Sequence, residues 1–259
     1  MAAVGQPRAA HPLRRIKVPA RRTRHCHLGD NLGMAAETLE QALRATRWGA
    51  SLAADQLARV AAESAEIAVP ANGYVCRSGE PVDAWLGVLD GMVKMMISTP
   101  SGRASTFTSI PAGGWFGEGS LLKTEPRRYD VVALRESRIA RVPRRTFEWL
   151  LNTSIPFNRF LLVQLNERLG QFIGMLEAQR LHDPDARAAR CVAGLFNTLL
   201  YPGIDKKLEV SQEEIGYLAG ISRQRVNQAL QTLQKAGLLR VEYGAIVIDD
   251  LDGLRRYGA

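Results

Sequence analysis

Val210-Ser211-Gln212-Glu213-Glu214-Ile215-Gly216-Tyr217-Leu218-Ala219-Gly220-Ile221-Ser222-Arg223-Gln224-Arg225-Val226 contains two helix starts and one helix stop within seventeen residues. Ser211 and Glu214 have the S-x-x-E spacing, in which the serine oxygen accepts from the free amide of Glu214 and the Glu214 carboxylate reaches back toward Ser211. The helix so opened, with Ile215 and Leu218 inward, ends at Gly220. Ser222 then caps a second helix that runs to about Ala236, with Val226, Leu230 and Leu233 inward and Gly237 closing it. A helix, a tight turn at Ala219 to Ser222 and a second helix form the layout that lays the second helix in a major groove. Its outward residues are Arg223, Gln224, Arg225, Asn227 and Gln228, and no acid follows until Glu242. Arginine can fork onto guanine, and Asn or Gln onto adenine, so this face has the chemistry of base reading. Ser211, Gln212 and Ser222, at the two helix starts, complete the expected DNA-contacting set. Leu238 to Val241, Tyr243-Gly244 and Ala245 to Ile248 read as a hairpin, a wing beside the helix. The alternative, a helical packing module, needs neither the wing nor an acid-free polar face.

Upstream, Asp183-Pro184 supplies an N-cap followed by proline at the first helical position. The helix it starts places Ala188, Val192, Leu195, Phe196, Leu199 and Leu200 inward and is expected to end at Tyr201-Pro202-Gly203, with a short strand at Leu208 to Val210. Before it, Leu162, Leu165, Leu169, Phe172 and Leu176 step by 3, 4, 3 and 4, one apolar seam along a long helix ending near His182. The seam suits either a partner helix or the core of its own domain. Gly170 and Gly174 would let another backbone come close, at some cost in helix propensity. Between Pro70 and Val142, short apolar or alternating runs are divided by Asn72-Gly73, Ser78-Gly79, Asp90-Gly91, Ser101-Gly102 and Pro111 to Gly114. That spacing predicts an antiparallel barrel, sandwich or jelly roll. Ala35 to Val69 reads as two short helices around Gly49, with Ser51 as a cap.

The chain of 259 residues, 46% apolar and 23% charged, excludes wholesale disorder, collagen and rod-like coiled coil. No run approaches the 18 or so apolar residues of a membrane span. Of the net charge of +8, seven units come from Arg8, Arg14, Arg15, Lys17, Arg21, Arg22 and Arg24, in a stretch to residue 29 without carboxylates. A transit-like peptide, an electrostatic arm and an over-long start all fit that tail, which lacks the apolar run of a secretory signal. The remainder is nearly neutral, so the high pI says little about a nucleic-acid partner of the folded part. Three scattered cysteines, Cys26, Cys76 and Cys191, suit a reducing cytoplasm. An iron–sulfur cluster needs about four thiolates, and no histidine lies between Asp30 and Gln179 to hold a haem in the central region. No metal site is expected. Ser120 has no histidine arrangement around it, and Glu118 with Arg128 holds no activated nucleophile, so the chain does not read as an enzyme.

From about residue 35 onward the chain resembles the cyclic-AMP receptor protein and FNR family of bacterial transcription regulators. The resemblance is strongest in Val210 to Gly216, Gly220 to Val226, and Leu230 to Leu239. It implies an α+β chain in which a cyclic-nucleotide-binding-like β-roll, or jelly roll, precedes a long dimerisation helix and a C-terminal winged helix-turn-helix. On this sequence that becomes a basic tail at 1–30, an effector-sensing roll at 31–150, a dimerising helix at 151–182 and a DNA-binding domain at 183–259. It also favours the intersubunit reading of the seam from Leu162 to Leu176. By position, Arg223 and Gln228 resemble the family's main base-contacting residues, with Gln224 between them. The cyclic-AMP receptor has Arg, Glu, Arg there, so Gln224 and Gln228 imply a different operator.

The stretch Phe116-Gly117-Glu118-Gly119-Ser120-Leu121-Leu122, followed by Pro126-Arg127-Arg128-Tyr129-Asp130, is similar to the family's phosphate-binding cassette. The resemblance implies an effector site of Gly117, Glu118, Arg127, Arg128 and Tyr129, joined from the long helix by Phe172 and Ile173. Glu118 would accept from a ribose hydroxyl and Arg128 would pair with a phosphate. Cyclic-nucleotide binders usually follow the arginine with Ser or Thr, whereas Arg128 precedes Tyr129 and Asp130. Phe172 and Ile173 stand where the cyclic-AMP receptor meets adenine with Thr and Ser, and neither can make that hydrogen bond. The expectation is therefore a homodimeric regulator on double-stranded DNA, controlled by a small anionic effector or nucleotide other than cyclic AMP. A constitutive DNA binder, a cyclic-nucleotide-responsive regulator, and a roll that controls a protein partner are the alternatives. RNA polymerase would be a further partner of an activator, although no residue pattern marks a surface for it.

Overall fold

The computed structural model describes residues 37–98, 104–180, 183–203 and 206–258. The basic tail, Cys26 and the expected helix end at His182 lie outside them. Two helices open the described chain, α1 (Leu39–Ala45) and α2 (Ala54–Glu63), with a single 3-10 turn between them at Gly49–Ser51. Ser51 is not the cap expected of it: its hydroxyl donates to the Trp48 carbonyl. At the start of α2 the backbone amide of Ala53 instead donates to the Gln56 side chain.

The roll follows as β1 (Ala65–Val69), β2 (Tyr74–Cys76), β3 (Ala84–Asp90), β4 (Met92–Ser98), β5 (Ala104–Pro111), β6 (Trp115–Phe116), β7 (Asp130–Ala133) and β8 (Ser137–Pro143), with α3 (Glu118–Lys123) between β6 and β7. One antiparallel sheet has the order β1-β8-β3-β6 and the other β2-β7-β4-β5, the non-sequential ordering of a jelly roll. The runs read from sequence recur as strands, and β1 and β6 add to them. β6 is too short for period-2 alternation to show, and β1 has only one buried residue, Val69.

The core that joins the roll to its helices is aromatic. Trp85 and Trp115 have ring centroids 4.3 Å apart, Trp48 meets Trp115 edge-on at 5.0 Å, and Phe147 and Phe157 close the cluster. Phe147 belongs to α4 (Arg144–Thr153) and Phe157 to α5 (Ile155–Arg180), so this cluster fixes both helices to the sheet. The two helices are separated at the buried Ser154, before Pro156, so the long helix begins at Ile155. The Trp115 indole needs room above β3, and Gly87 leaves it: a Cβ there would lie 2.5 Å from the ring.

After α5 come α6 (Pro184–Leu195), β9 (Lys207–Leu208), α7 (Gln212–Ala219), α8 (Arg223–Lys235), β10 (Leu239–Glu242), β11 (Ala245–Ile248) and α9 (Leu251–Arg256). Asp183 caps α6 as read from sequence, accepting from the amides of Asp185 and Ala186. That helix does not reach Tyr201. Phe196 leaves the helical region, and Asn197 receives the amides of Leu199 and Leu200 in a turn. Leu199 is therefore exposed, while Leu200 and Tyr201 turn back into the core of the roll. The third sheet, β10-β11-β9, carries the wing. The small α9, capped by Asp250, places Leu254 in the same core as Val226, Leu230, Leu233 and Ile246.

Replacing Gly87 by Ala is expected to displace the Trp115 ring and lower stability by about 1–3 kcal/mol, as overpacking of a filled core does. Urea denaturation of the variant beside the parent protein measures it, and an unchanged midpoint would show that the indole can move at little cost.

Candidate nucleic-acid interface and sensor site

The reading head is built from short-range hydrogen bonds. The Glu214 amide donates to Ser211 Oγ at 3.2 Å and the Ser211 amide to Glu214 Oε2 at 2.9 Å, the reciprocal box that starts α7. Gly220 ends it in the left-handed region, at φ +65°. Gly216 allows the two helices to cross, because a Cβ there would lie 2.8 Å from the Ile221 carbonyl. Ser222 Oγ accepts from the Arg225 amide at 3.2 Å and starts α8.

Along α8, Ser222, Arg223, Gln224 and Gln228 are exposed, whereas Arg225 and Asn227 are half-buried and engaged within the chain. Arg225 Nη2 lies 2.7 Å from Asp185 Oδ1, an ion pair that holds the start of α8 to the first turn of α6. Asn227 Nδ2 donates to Gln212 Oε1 at 3.2 Å and accepts from Gln231, linking α7 to α8. Of the residues expected to meet DNA, Arg225, Asn227 and Gln212 thus carry internal bonds here, Gln228 accepts from Arg225 Nη1 at 3.5 Å, and Arg223 and Gln224 make no side-chain bond among the described residues. Ser211 and Ser222 act as caps. The wing turns at Tyr243-Gly244, with Gly244 at φ +70° and Tyr243 fully exposed.

At the other end of the chain, Gly117 (φ +93°) turns the backbone so that Glu118 points inward. A Cβ at Gly117 would come within 3.1 Å of Arg127 Nη1. Glu118 and Arg127 are 3% and 5% exposed. Arg127 Nη2 donates to the Ala84 carbonyl at 3.2 Å, leaving Nη1 without a partner. The inward arginine is therefore Arg127. Arg128, expected from the sequence to face an anion, has a side chain 69% exposed and paired with Glu125 at 2.8 Å. The reason is backbone pairing: the Arg127 amide donates to the Glu80 carbonyl, and the Gly79 amide donates to the Arg127 carbonyl. Asp130 Oδ1 accepts from the Ser78 amide.

Sequence reading missed Arg168 altogether. From α5 it reaches into the roll, donates to the Trp115 carbonyl at 2.7 Å and lies 3.5 Å from Glu118 Oε1, with side-chain exposures of 13% and 4%. Gln164, one turn earlier, donates to the same carbonyl. The only sequence signal was two polar residues one turn apart on a helix anchored by Phe157 and Leu161. Burial, and then the Glu118 carboxylate, push the Tyr129 phenol up to about 12, so it is neutral at physiological pH. Burial likewise pushes the nearby Cys76 thiol up to about 11. Phe172 and Ile173 are on the exposed surface of α5, together with Leu162, Leu169 and Leu176, while Leu165 is half-buried. The effector candidates thus divide into an inward group (Gly117, Glu118 and Arg127 buried, Tyr129 half-buried) and an exposed one (Arg128, Phe172, Ile173). Among the described residues no cluster of three His, Cys, Asp or Glu could hold a metal ion, and no helix is long and apolar enough to cross a membrane.

Comparison with known proteins agrees with this arrangement at both ends. Residues 66–154 match the family described as cyclic nucleotide-binding domain, and residues 167–257 match the Crp-like helix-turn-helix domain. The chain is 28% identical over 190 residues to a CRP-like cAMP-activated global transcriptional regulator of Mycobacterium tuberculosis, covering 72% of this chain and 85% of that protein. It is 29% identical over 180 residues to the transcriptional regulator SdrP of Thermus thermophilus, covering 68% and 84%. Among solved structures, a CRP/FNR-family transcriptional regulator from Thermus thermophilus is 26% identical with a TM-score of 0.54, over 74% of this chain and 96% of that one. FixK2 from Bradyrhizobium japonicum, at 19% identity and a TM-score of 0.63 over 76% and 98%, shares the fold.

Glu118→Gln would leave Arg168 buried without its countercharge and is expected to cost about 3–5 kcal/mol, as breaking a buried ion pair does. Adding Arg168→Met should recover most of that loss. Urea denaturation of the single and double variants measures both, and a double variant no more stable than Glu118→Gln would deny the coupling.

Proposed function

For a chain that belongs to the CRP/FNR family of transcriptional regulators, with a cyclic-nucleotide-binding-like domain and a DNA-binding helix-turn-helix domain, we propose the following working form. Two copies associate through the α5 seam and present their α8 helices to the two halves of an inverted-repeat operator. The observation that carries this reading is that α8 keeps an exposed, acid-free polar face while α5 keeps an exposed apolar stripe. Leu162, Leu169, Phe172 and Leu176 are large apolar side chains in water, an arrangement that marks an interaction surface.

A two-fold axis along the paired α5 helices sets the half-site centres roughly 34 Å apart, one duplex turn. Arg223, Gln224 and Gln228 read bases, whereas Arg225 and Asn227 set the pose of α8 through Asp185 and Gln212. Contacts from Arg and Lys to phosphate supply sequence-independent affinity and its salt dependence. A double-stranded DNA partner and the unpaired thiols of Cys76 and Cys191 accord with a reducing cytoplasm.

Control by a small effector other than cyclic AMP is the regulatory part of the proposal. Arg168 and Tyr129 occupy the surroundings of Glu118, and Phe172 and Ile173 have no group with which to hydrogen-bond an adenine. An effector acts by binding one arrangement of roll and reading head better than another. The pairing of Glu118 with Arg168 also supports a second reading: a regulator whose sensor site is satisfied by its own long helix and which binds DNA constitutively.

Arg223→Ala is expected to weaken operator binding by about 1–3 kcal/mol while leaving binding to random duplex nearly unchanged, as loss of a base contact does. Competition gel shifts measure both, and equal losses would remove Arg223 from the base-reading set. Leu169→Glu is expected to convert the dimer to monomer in sedimentation equilibrium and to abolish cooperative occupancy of the two half-sites. A variant that stays dimeric would move the interface off this seam.

A further inference from the structure

Where α5, α6 and α7 converge beside β5, the protein leaves a cleft of about 480 Å³. None of its lining residues belongs to the Glu118, Arg127, Tyr129 and Arg168 group. Its size lies within the range of roughly 300–1,000 Å³ typical of small-molecule sites. Three glycines shape it: Gly170 and Gly174 on α5, and Gly194 in the last turn of α6. A Cβ built on any of the three would meet nothing within 4 Å. In a helix each glycine costs about 1 kcal/mol relative to alanine. Within the chain no neighbouring backbone lies close to these glycines. What they provide is open space. Gly170 is one residue, roughly a quarter turn, round α5 from Leu169 of the exposed seam. It lines the cleft with Gln171, whose amide donates to the Gly194 carbonyl, so this side of α5 faces α6.

The walls are chemically uneven. Arg187 and Arg190, one turn apart on α6, both line the cleft, and the Nε atoms of both are shielded from solvent without a hydrogen-bond partner. Neither guanidinium has an ion-pair partner among the described residues. The other charges there are mostly answered, since Arg255 pairs with Asp252 and Glu167 accepts from Asn197. Glu177 remains, able to accept from a donor on an occupant. Phe107, Met175 and Leu218 supply apolar surface.

We propose that this cleft binds an organic acid, its carboxylate or phosphate held by Arg187 and Arg190 and its apolar body lying over the three glycines against Phe107 and Leu218. The walls come from the roll, the long helix and the helix-turn-helix, so an occupant bridges sensor and reading head and biases their arrangement. The inference rests on the DNA-binding reading only for that consequence, because occupancy itself is measured without DNA.

The probe is anilinonaphthalene sulfonate, an acid on an apolar bicyclic body, with neutral phenylnaphthylamine as its uncharged counterpart. Each is titrated by fluorescence into the full-length chain. One sulfonate per chain is expected, bound about tenfold more tightly than the neutral compound, a preference lost in the double variant Arg187→Gln with Arg190→Gln. Gly174→Leu, which fills the cleft and favours the helix, should weaken both probes about tenfold or more with an unchanged circular dichroism spectrum. Gly194→Leu fills it from the opposite wall and serves if the first variant does not fold. Unchanged binding in a folded cleft-filling variant overturns the proposal, as does a sulfonate preference that survives loss of both arginines. Binding abolished by Leu169→Glu but retained in Gly174→Leu assigns the probe to the seam and overturns it equally. Probe binding that behaves as expected in a protein without operator affinity would sink the DNA reading and leave this site standing.

Discussion

The long helix α5 has several sets of neighbours around one circumference, and that constraint organises the molecule. Phe157, Leu161, Gln164 and Arg168 face the roll, Gln171 faces α6, and Leu162, Leu169 and Leu176 face water. Apolar side chains are consequently spread round the helix instead of forming a single stripe. The anchoring is strongest in the first half, where Trp115 receives two hydrogen bonds on its carbonyl and packs its ring beneath Gly87. Beyond Arg168 the helix is held mainly by α6, which carries the reading head. The bonds that join the two helices lie at the far end of α6, where Gln171 meets the Gly194 carbonyl and the Tyr201 hydroxyl, and Glu167 meets Asn197.

The first turn of α6 is braced on both sides. Asp183 caps it, and Asp185, two residues on, holds Arg225 of the recognition helix. A recognition arginine is thereby tied to the connection between the two domains. A residue that reads as a DNA contact from its place on a helix is engaged within the chain here, while Arg223, Gln224 and Gln228 stay exposed on the same helix. The contact between the domains also extends beyond this point. Arg135 at the end of the roll donates to the Glu209 carbonyl and pairs with its carboxylate, Tyr201 packs into the roll, and Met92 of the roll joins the core of the winged helix.

The site around Glu118 combines a left-handed backbone turn at Gly117 with a buried charge pair. Glu118 is held beside the cation of Arg168, which comes from α5. A charge pair buried to this degree gains little over apolar packing but costs much when one member is lost. The pair joins α5 to the roll. Arg127 Nη1 and Glu118 Oε2 each lie buried without a hydrogen-bond partner.

The amino-acid order by itself determined the layout of the C-terminal region: the Ser211–Glu214 box, the Gly220 stop, the Ser222 cap and the Asp183-Pro184 start follow from hydrogen bonds spanning two to four residues, and the wing from a hairpin whose partners are no more than nine residues apart. The strand runs were legible for the same reason, because alternation is local. Tertiary structure alone decided that Arg127 rather than Arg128 turns inward, since the backbone there is held by Gly79 and Glu80, almost fifty positions earlier in the chain. It alone brought Arg168 to Glu118 and Arg225 to Asp185. An ion pair between distant segments leaves no periodic trace, and its partners are chosen by how helices pack on a sheet. The same packing opened the space above Gly170, Gly174 and Gly194, which in the sequence are only three weak points in two helices.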